Sequence, residues 1–138
     1  MAKYLLDTNI CIYITKHHPQ EVLTKFESLQ VGDVGMSIIT YGELHFGAEK
    51  SRQPTQTHAK LDRLAELINI LPLSISAANS YGSIRSALEK AGTPIGANDL
   101  WIAAHALAED RILVSNNLRE FQRVPGLTVE NWVQKKEI

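Results

Sequence analysis

The chain has 138 residues, 44% of them hydrophobic and 21% charged, a balance that suits one globular domain with its own core and leaves little room for a second. Its formal net charge is -1, which excludes a protein that holds nucleic acid by bulk electrostatics, so any such contact must be local. A single cysteine, Cys11, excludes an internal disulfide, reads as a small core thiol and suits a reducing compartment.

"MAKYLL" lacks the long apolar core and small-residue cleavage site of a secretory leader. No apolar run approaches the roughly 20 residues of a membrane span, so a cytoplasmic protein with no membrane contact is expected. "KYLLD" reads as a short buried strand, and "TNICIYITK", with Ile10, Tyr13 and Ile14 at helical spacing, as a first helix. Pro19 closes that region. "QEVLTKFESL" places Val22, Phe26 and Leu29 on one helical face. "VGMSII" is a second strand, and "TYGELHFGAEKS" a helix predicted to start at Thr40.

Pro54 opens the next helix, with a stripe of Leu61, Leu64, Leu67 and Ile68. "ILPL" is a short edge strand, because Pro72 removes a ladder donor. "SAANSYGSIRSALEKAG" aligns Tyr81, Ile84, Leu88 and Ala91, and stops at Gly92 and Pro94. "NDLWIAAHALAED" is apolar on nearly every side, as a buried helix is. "RILVS" is a strand, "NNLREF" a turn or short helix, "LTVENW" a last strand and "QKKEI" a tail. Apolar strands alternating with helices predict an α/β domain, a three-layer α/β/α sandwich around a mainly parallel sheet.

Three acids stand at helix starts. Asp7 ends the first strand, Glu43 follows the second, and Asp99 opens the buried helix. Ligand sites in open α/β sheets lie beyond the carboxyl ends of the strands. Each acid also has a local explanation: Asp7 as an N-cap, Thr40 to Glu43 as a capping box, and Asp99 complementing a helix dipole with Asn98 as cap. Taken together, they would gather negative charge in one partly desolvated place, raising a pKa unless a cation intervenes. Mg²⁺ or Mn²⁺ prefers such hard oxygen ligands and needs only one or two carboxylates plus waters.

That centre suits phosphodiester hydrolysis, in which a metal activates water and neutralises charge on phosphorus. Ser115, Asn116 and Asn117 close the fourth strand and are candidates for orienting water or phosphate, or for a plain Asn turn. Arg85 and Arg119 are candidates for backbone contacts, and equally for a solvated face. The five histidines show no metal-ligand spacing. There is no phosphate-binding G-x-x-x-x-G-K-[ST] loop, no G-x-G-x-x-G and no G-x-S-x-G.

The blocks "LLDTNICIYI", "SIITYGELHFGAEKS", "GTPIGANDLWIAAHAL" and "ILVSNNLREFQRVPGLTVENW", in this order from about Lys3 to Trp132, resemble the PIN-domain ribonucleases. More narrowly, they resemble the VapC toxins of bacterial toxin–antitoxin pairs. The resemblance implies one PIN-like nuclease domain over 1–132, with a frayed tail at 133–138. It implies an endoribonuclease that needs Mg²⁺ or Mn²⁺ and blocks translation. Asp7, Glu43 and Asp99 match the acidic metal centre, and Asn9 and Ser115 the polar positions around it. Asn117 falls where many PIN domains carry a fourth acid, and an amide there supplies no charge.

The resemblance further implies a VapB-like antitoxin, a homodimer, and larger assemblies that meet promoter DNA only through the antitoxin. The "PIGANDLWIAAHA" block is most similar to enteric-type members, whose typical target is the anticodon loop of initiator tRNA. Two alternatives compete. One is an aspartyl-phosphate phosphatase or receiver-like protein built on Asp7, which has Asn9 where such phosphatases carry a second acid. The other is a non-catalytic binding module on the same fold.

Overall fold

The computed structural model describes residues 2–133. Its centre is β1 (Tyr4–Leu6), three apolar residues buried on both faces as an inner parallel strand requires. On one side β1 pairs with β2 (Val34–Ser37), which pairs with the edge strand β3 (Asn69–Leu71). On the other side it pairs with β4 (Ile112–Val114), followed by β5 (Val129–Glu130). The order is β3-β2-β1-β4-β5 and every pairing is parallel.

Alternation along β1 divides the core into two layers. Tyr4 and Leu6 enter a cluster with Ile10 and Ile14 of α1 (Thr8–Lys16), Val22 of α2 (Gln20–Glu27), and Leu64 of α4 (Pro54–Leu67). Leu5 enters the opposite cluster with Ile84 and Leu88 of α5 (Ile75–Lys90), Leu100 and Ile102 of α6 (Ala97–Ala108), and Phe121 of α7 (Leu118–Phe121). Cys11 is buried in the first layer, where loss of water pushes its thiol pKa up. This is the expected three-layer sandwich. Val133 packs beside the first cluster; the tail positions 134–138 lie outside the described residues.

Two features of the sheet place a site. The chain leaves β1 for β2 and β3 on one side, then returns for β4 on the other, so the strand order switches between β1 and β4. The register pairs Leu6 with both Met36 and Val114. Asp7, Ser37 and Ser115, each one residue further on, therefore share one edge of the sheet.

The helix carrying Glu43 starts earlier than its sequence suggests. α3 spans Ile38–Glu49, and its cap is Ser37, whose Oγ accepts the Ile39 N–H at 3.1 Å. Thr40 is inside the first turn and fully buried, so the predicted capping box does not form. The earlier start turns Ile39 into the second core layer while Tyr41 and Leu44 reach the first. The cap of α6 is likewise Gly96, with no side-chain bond, and Asn98 is an exposed helical residue rather than the cap.

Buried His105 joins these two helices. Its Nδ1 lies 2.8 Å from Ser37 Oγ, and its Nε2 lies 2.6 Å from a Glu109 carboxylate oxygen, poorly aligned for a ring N–H bond. Burial pushes its pKa down, against the pull of Glu109. A neutral imidazole thus ties the cap of α3 to the last turn of α6. Among the described residues, no helix is long and apolar enough to cross a membrane.

Candidate active site

The strand-order switch sets Asp7 and Ser115 side by side. The Asp7 backbone N–H donates to Val114 O at 3.0 Å, continuing the β1–β4 ladder by one step. Its carboxylate Oδ1 accepts the Ile10 N–H at 2.9 Å, so Asp7 is indeed the N-cap of α1. The cap does not account for the whole residue. Asp7 is only 4% exposed, and burial raises its pKa. The Ser115 hydroxyl and the Ile10 and Asn9 N–H groups pull the pKa back down, while the charge of Glu43 pushes it up again.

Ser115 is oriented for its part. Its Oγ accepts the Asn117 N–H at 2.9 Å, which leaves the hydroxyl proton for Asp7. Glu43 projects from α3, and its Oε1 accepts the Thr8 hydroxyl at 2.6 Å. Thr8 Oγ1 also lies 3.4 Å from Thr40 Oγ1. The residue directly after Asp7 thus holds the second acid. Thr8→Val keeps the shape and removes the donor. Like the loss of a group supporting a metal ligand, it should lower catalytic efficiency about 10- to 100-fold. A melting temperature close to wild type would show that the loss is local.

Asp99 is the third residue of α6 and half-buried. Its pKa is pushed up to about 7, first by burial, then by a hydrogen bond to Glu120 and the charges of Glu120, Asp7 and Glu43. The three acids read from the sequence therefore feel one another, and the structure adds a fourth, Glu120 of α7. The hydrogen bond to Glu120 and the nearness of its charge both favour the protonated form of Asp99.

The sequence reading gave no role to Glu120 or Thr8. The signal for Glu120 was its place three residues after Asn117, at the start of a possible short helix, where a side chain folds back over the helix start. Asn117, the candidate at the family's fourth-acid position, directs its Nδ2 to Glu120 Oε2 at 3.2 Å. Asn116 points away from the acids, its Nδ2 donating to Tyr13 Oη at 2.8 Å. Asn9 is exposed, and its contribution to Asp7 comes through the backbone N–H. Arg85 is engaged on another face of the molecule, with Glu89 at 2.9 Å and Tyr81 at 2.9 Å.

Glu43, with Thr8, Ile38, Gly42, Phe46 and Asn98, lines a cleft of about 700 Å³. Among the described residues, no three His, Cys, Asp or Glu side chains are already gathered as a metal cage. The donor chemistry nevertheless fits a hard divalent cation. The ligands would be carboxylate oxygens, Asp7 and Asp99 resist ionisation without a counter-charge, and such ions are held by few protein ligands plus water.

Comparison with known proteins places the chain in a family. Residues 4–127 match the PIN domain. Ribonuclease VapC2 of Haemophilus influenzae is 47% identical over 133 residues, covering 96% of this chain and 100% of that protein. The tRNA(fMet)-specific endonuclease VapC of Shigella flexneri is 42% identical, covering 96% of this chain and 99% of its own. The crystal structure of VapBC2 from Rickettsia felis, bound to a DNA fragment from its promoter, superposes with a TM-score of 0.88 at 40% identity. That match covers 94% of this chain and 98% of the other.

Proposed function

The chain belongs to the PIN-domain family, among its VapC ribonucleases, and on that premise we propose that it is a divalent-metal-dependent endoribonuclease, the toxin of a pair. The observation that carries the reading is the charge coupling of Asp99 to Glu120, Asp7 and Glu43 at the strand-order switch. The family membership sets aside the aspartyl-phosphate reading. The presence of all the acids argues against a fold that has lost its chemistry.

Asp7, Asp99 and Glu43 would hold Mg²⁺ or Mn²⁺, which when bound lowers the pKa of water and neutralises charge on the phosphodiester. The protein's own groups supply position. Ser115 and the Ile10 N–H fix the Asp7 carboxylate, Thr8 fixes Glu43, and Asn117 fixes Glu120 against Asp99. Water adds to phosphorus and one P–O ester bond breaks, leaving two shorter RNA strands.

The substrate we assign is initiator tRNA, the tRNA(fMet) that the name of the Shigella flexneri relative gives for that protein, and we assign the cut to its anticodon loop, as the sequence resemblance implies. The partner is a VapB-like antitoxin, and promoter DNA is met through it, in keeping with the Rickettsia felis complex. We also assign a homodimer. Incubating the purified protein with total tRNA and Mg²⁺, then sequencing the new ends, tests this reading. Cuts confined to the initiator anticodon loop and blocked by EDTA are expected. Undirected cutting, or none, would contradict it.

The raised Asp99 pKa sets a pH dependence. Below about pH 7 the Asp99 carboxyl keeps its proton, which competes with the cation. At limiting metal, activity should fall as pH drops through 7. Added metal should move that limb to lower pH. A limb indifferent to metal concentration would show that Asp99 does not meet the ion.

A further inference from the structure

The cleft does not end at Glu43. It continues along α3 over Gly42, Phe46, Gly47 and Lys50. Phe46 is 65% exposed, a large apolar surface in contact with water. It lies one helical turn beyond Glu43, and Lys50 lies one turn further on the same face. The Lys50 ammonium sits 4.8 Å from the centre of the Phe46 ring. A ring with a cation over its face matches one nucleotide, a base stacking on the ring in the ammonium's place and the ammonium meeting a phosphate.

The two glycines have no structural excuse. Both lie inside the helix, where glycine is the poorest former after proline. Neither has a positive φ, and a Cβ at either would meet nothing within 4 Å. Neither backbone shape nor packing demands them. What their bareness provides is an open path along the cleft between Glu43 and the Phe46 ring.

We propose that Phe46, with Lys50 beside it, is the platform on which a base next to the scissile phosphate stacks, and that Gly42 and Gly47 stay bare to admit the RNA strand. The proposal rests on the ribonuclease reading of the acids and supplies what a net charge of -1 cannot. Stacking on an unpaired loop gives affinity without a broad basic surface.

The test uses a fluorescein-labelled anticodon stem-loop of initiator tRNA in Mg²⁺, with affinity read by anisotropy and cleavage by gel. Phe46→Ala should lower affinity and kcat/KM roughly ten- to a hundredfold, the scale of one lost stacking contact. Phe46→Tyr should retain both. Gly47→Leu should lower both while melting no earlier than wild type, an outcome that helix propensity alone cannot produce. Stem-loops made abasic at single positions around the cut complete the cycle: one of them should weaken the wild type as much as Phe46→Ala does and cost that variant nothing more. Wild-type behaviour of Phe46→Ala on RNA, or a loss confined to antitoxin affinity, would overturn the proposal and leave the ribonuclease reading standing. A wild-type protein that neither binds nor cuts this RNA would remove the substrate reading, and the inference with it.

Discussion

Asp7→Asn should reduce RNA cleavage by on the order of a thousandfold or more, the scale set by losing a metal ligand that stabilises transition-state charge. It should do so without unfolding the protein. Asparagine is as good an N-cap as aspartate, so the Ile10 N–H keeps an acceptor. The substitution also removes a buried charge. The Asp7 pKa is raised in the folded protein, so the native state binds a proton more readily than the unfolded chain. Ionisation of Asp7 therefore costs stability above its folded pKa, and that cost fades as pH falls through it. At pH 7 the variant should melt at or above the wild-type temperature. Cleavage kept at the parental rate would sink the assignment, and a folded state lost with activity would make Asp7 structural.

The second large effect is on stability. Phe121 is the fully buried residue of the four-residue α7, set among Leu5, Ile84, Leu88, Leu100 and Leu113. Phe121→Ala should cost about 3–5 kcal/mol, the usual range for emptying a buried aromatic site. Against a total of roughly 5–15 kcal/mol, this is a large share. Denaturant unfolding should show a lowered midpoint with an unchanged slope. The same side chain anchors the turn that carries Asn117 and Glu120. Below the melting transition, activity should therefore fall as well, because Glu120 and the Asn117–Ser115–Asp7 chain lose their support. Full activity in the folded variant would show that α7 does not position the acids.

Periodicity was enough to read the helices and strands, because buried parallel strands and one-sided helices leave strong patterns. Strand order was not legible. Nothing local in "YLL" says that β2 lies on one side and β4 on the other, yet that switch puts Asp7 beside Ser115. Cap positions misled where two polar residues competed. Thr40 and Glu43 fit a capping-box pattern, but Ser37 ends β2 and takes the Ile39 N–H first.

Of the candidate site, Asp7, Glu43 and Asp99 were visible as acids at helix starts, the first two beside buried strands. Thr8 and Glu120 were not, for different reasons. Thr8 lies in the "DTN" block, but its partner is 35 residues away. Glu120 sits in a helix too short for any periodicity, so nothing local singled out its carboxyl. Only the burial of Phe121 turns that helix so that Glu120 meets Asp99. Asn117, read as a group acting on water or phosphate, is seen here holding Glu120.

The central claim is that Asp7, Glu43 and Asp99 share one cation, with Glu120 bonded to Asp99 beside it. Its most direct test is calorimetric titration of Mn²⁺ at pH 7, in two buffers of different ionisation enthalpy, into the wild type and Asp7→Asn. Binding to the wild type should release a fraction of a proton, the one Asp99 holds near pH 7, and Asp7→Asn should abolish or strongly weaken binding. Equal binding by both proteins, or binding with no proton released, would contradict the account.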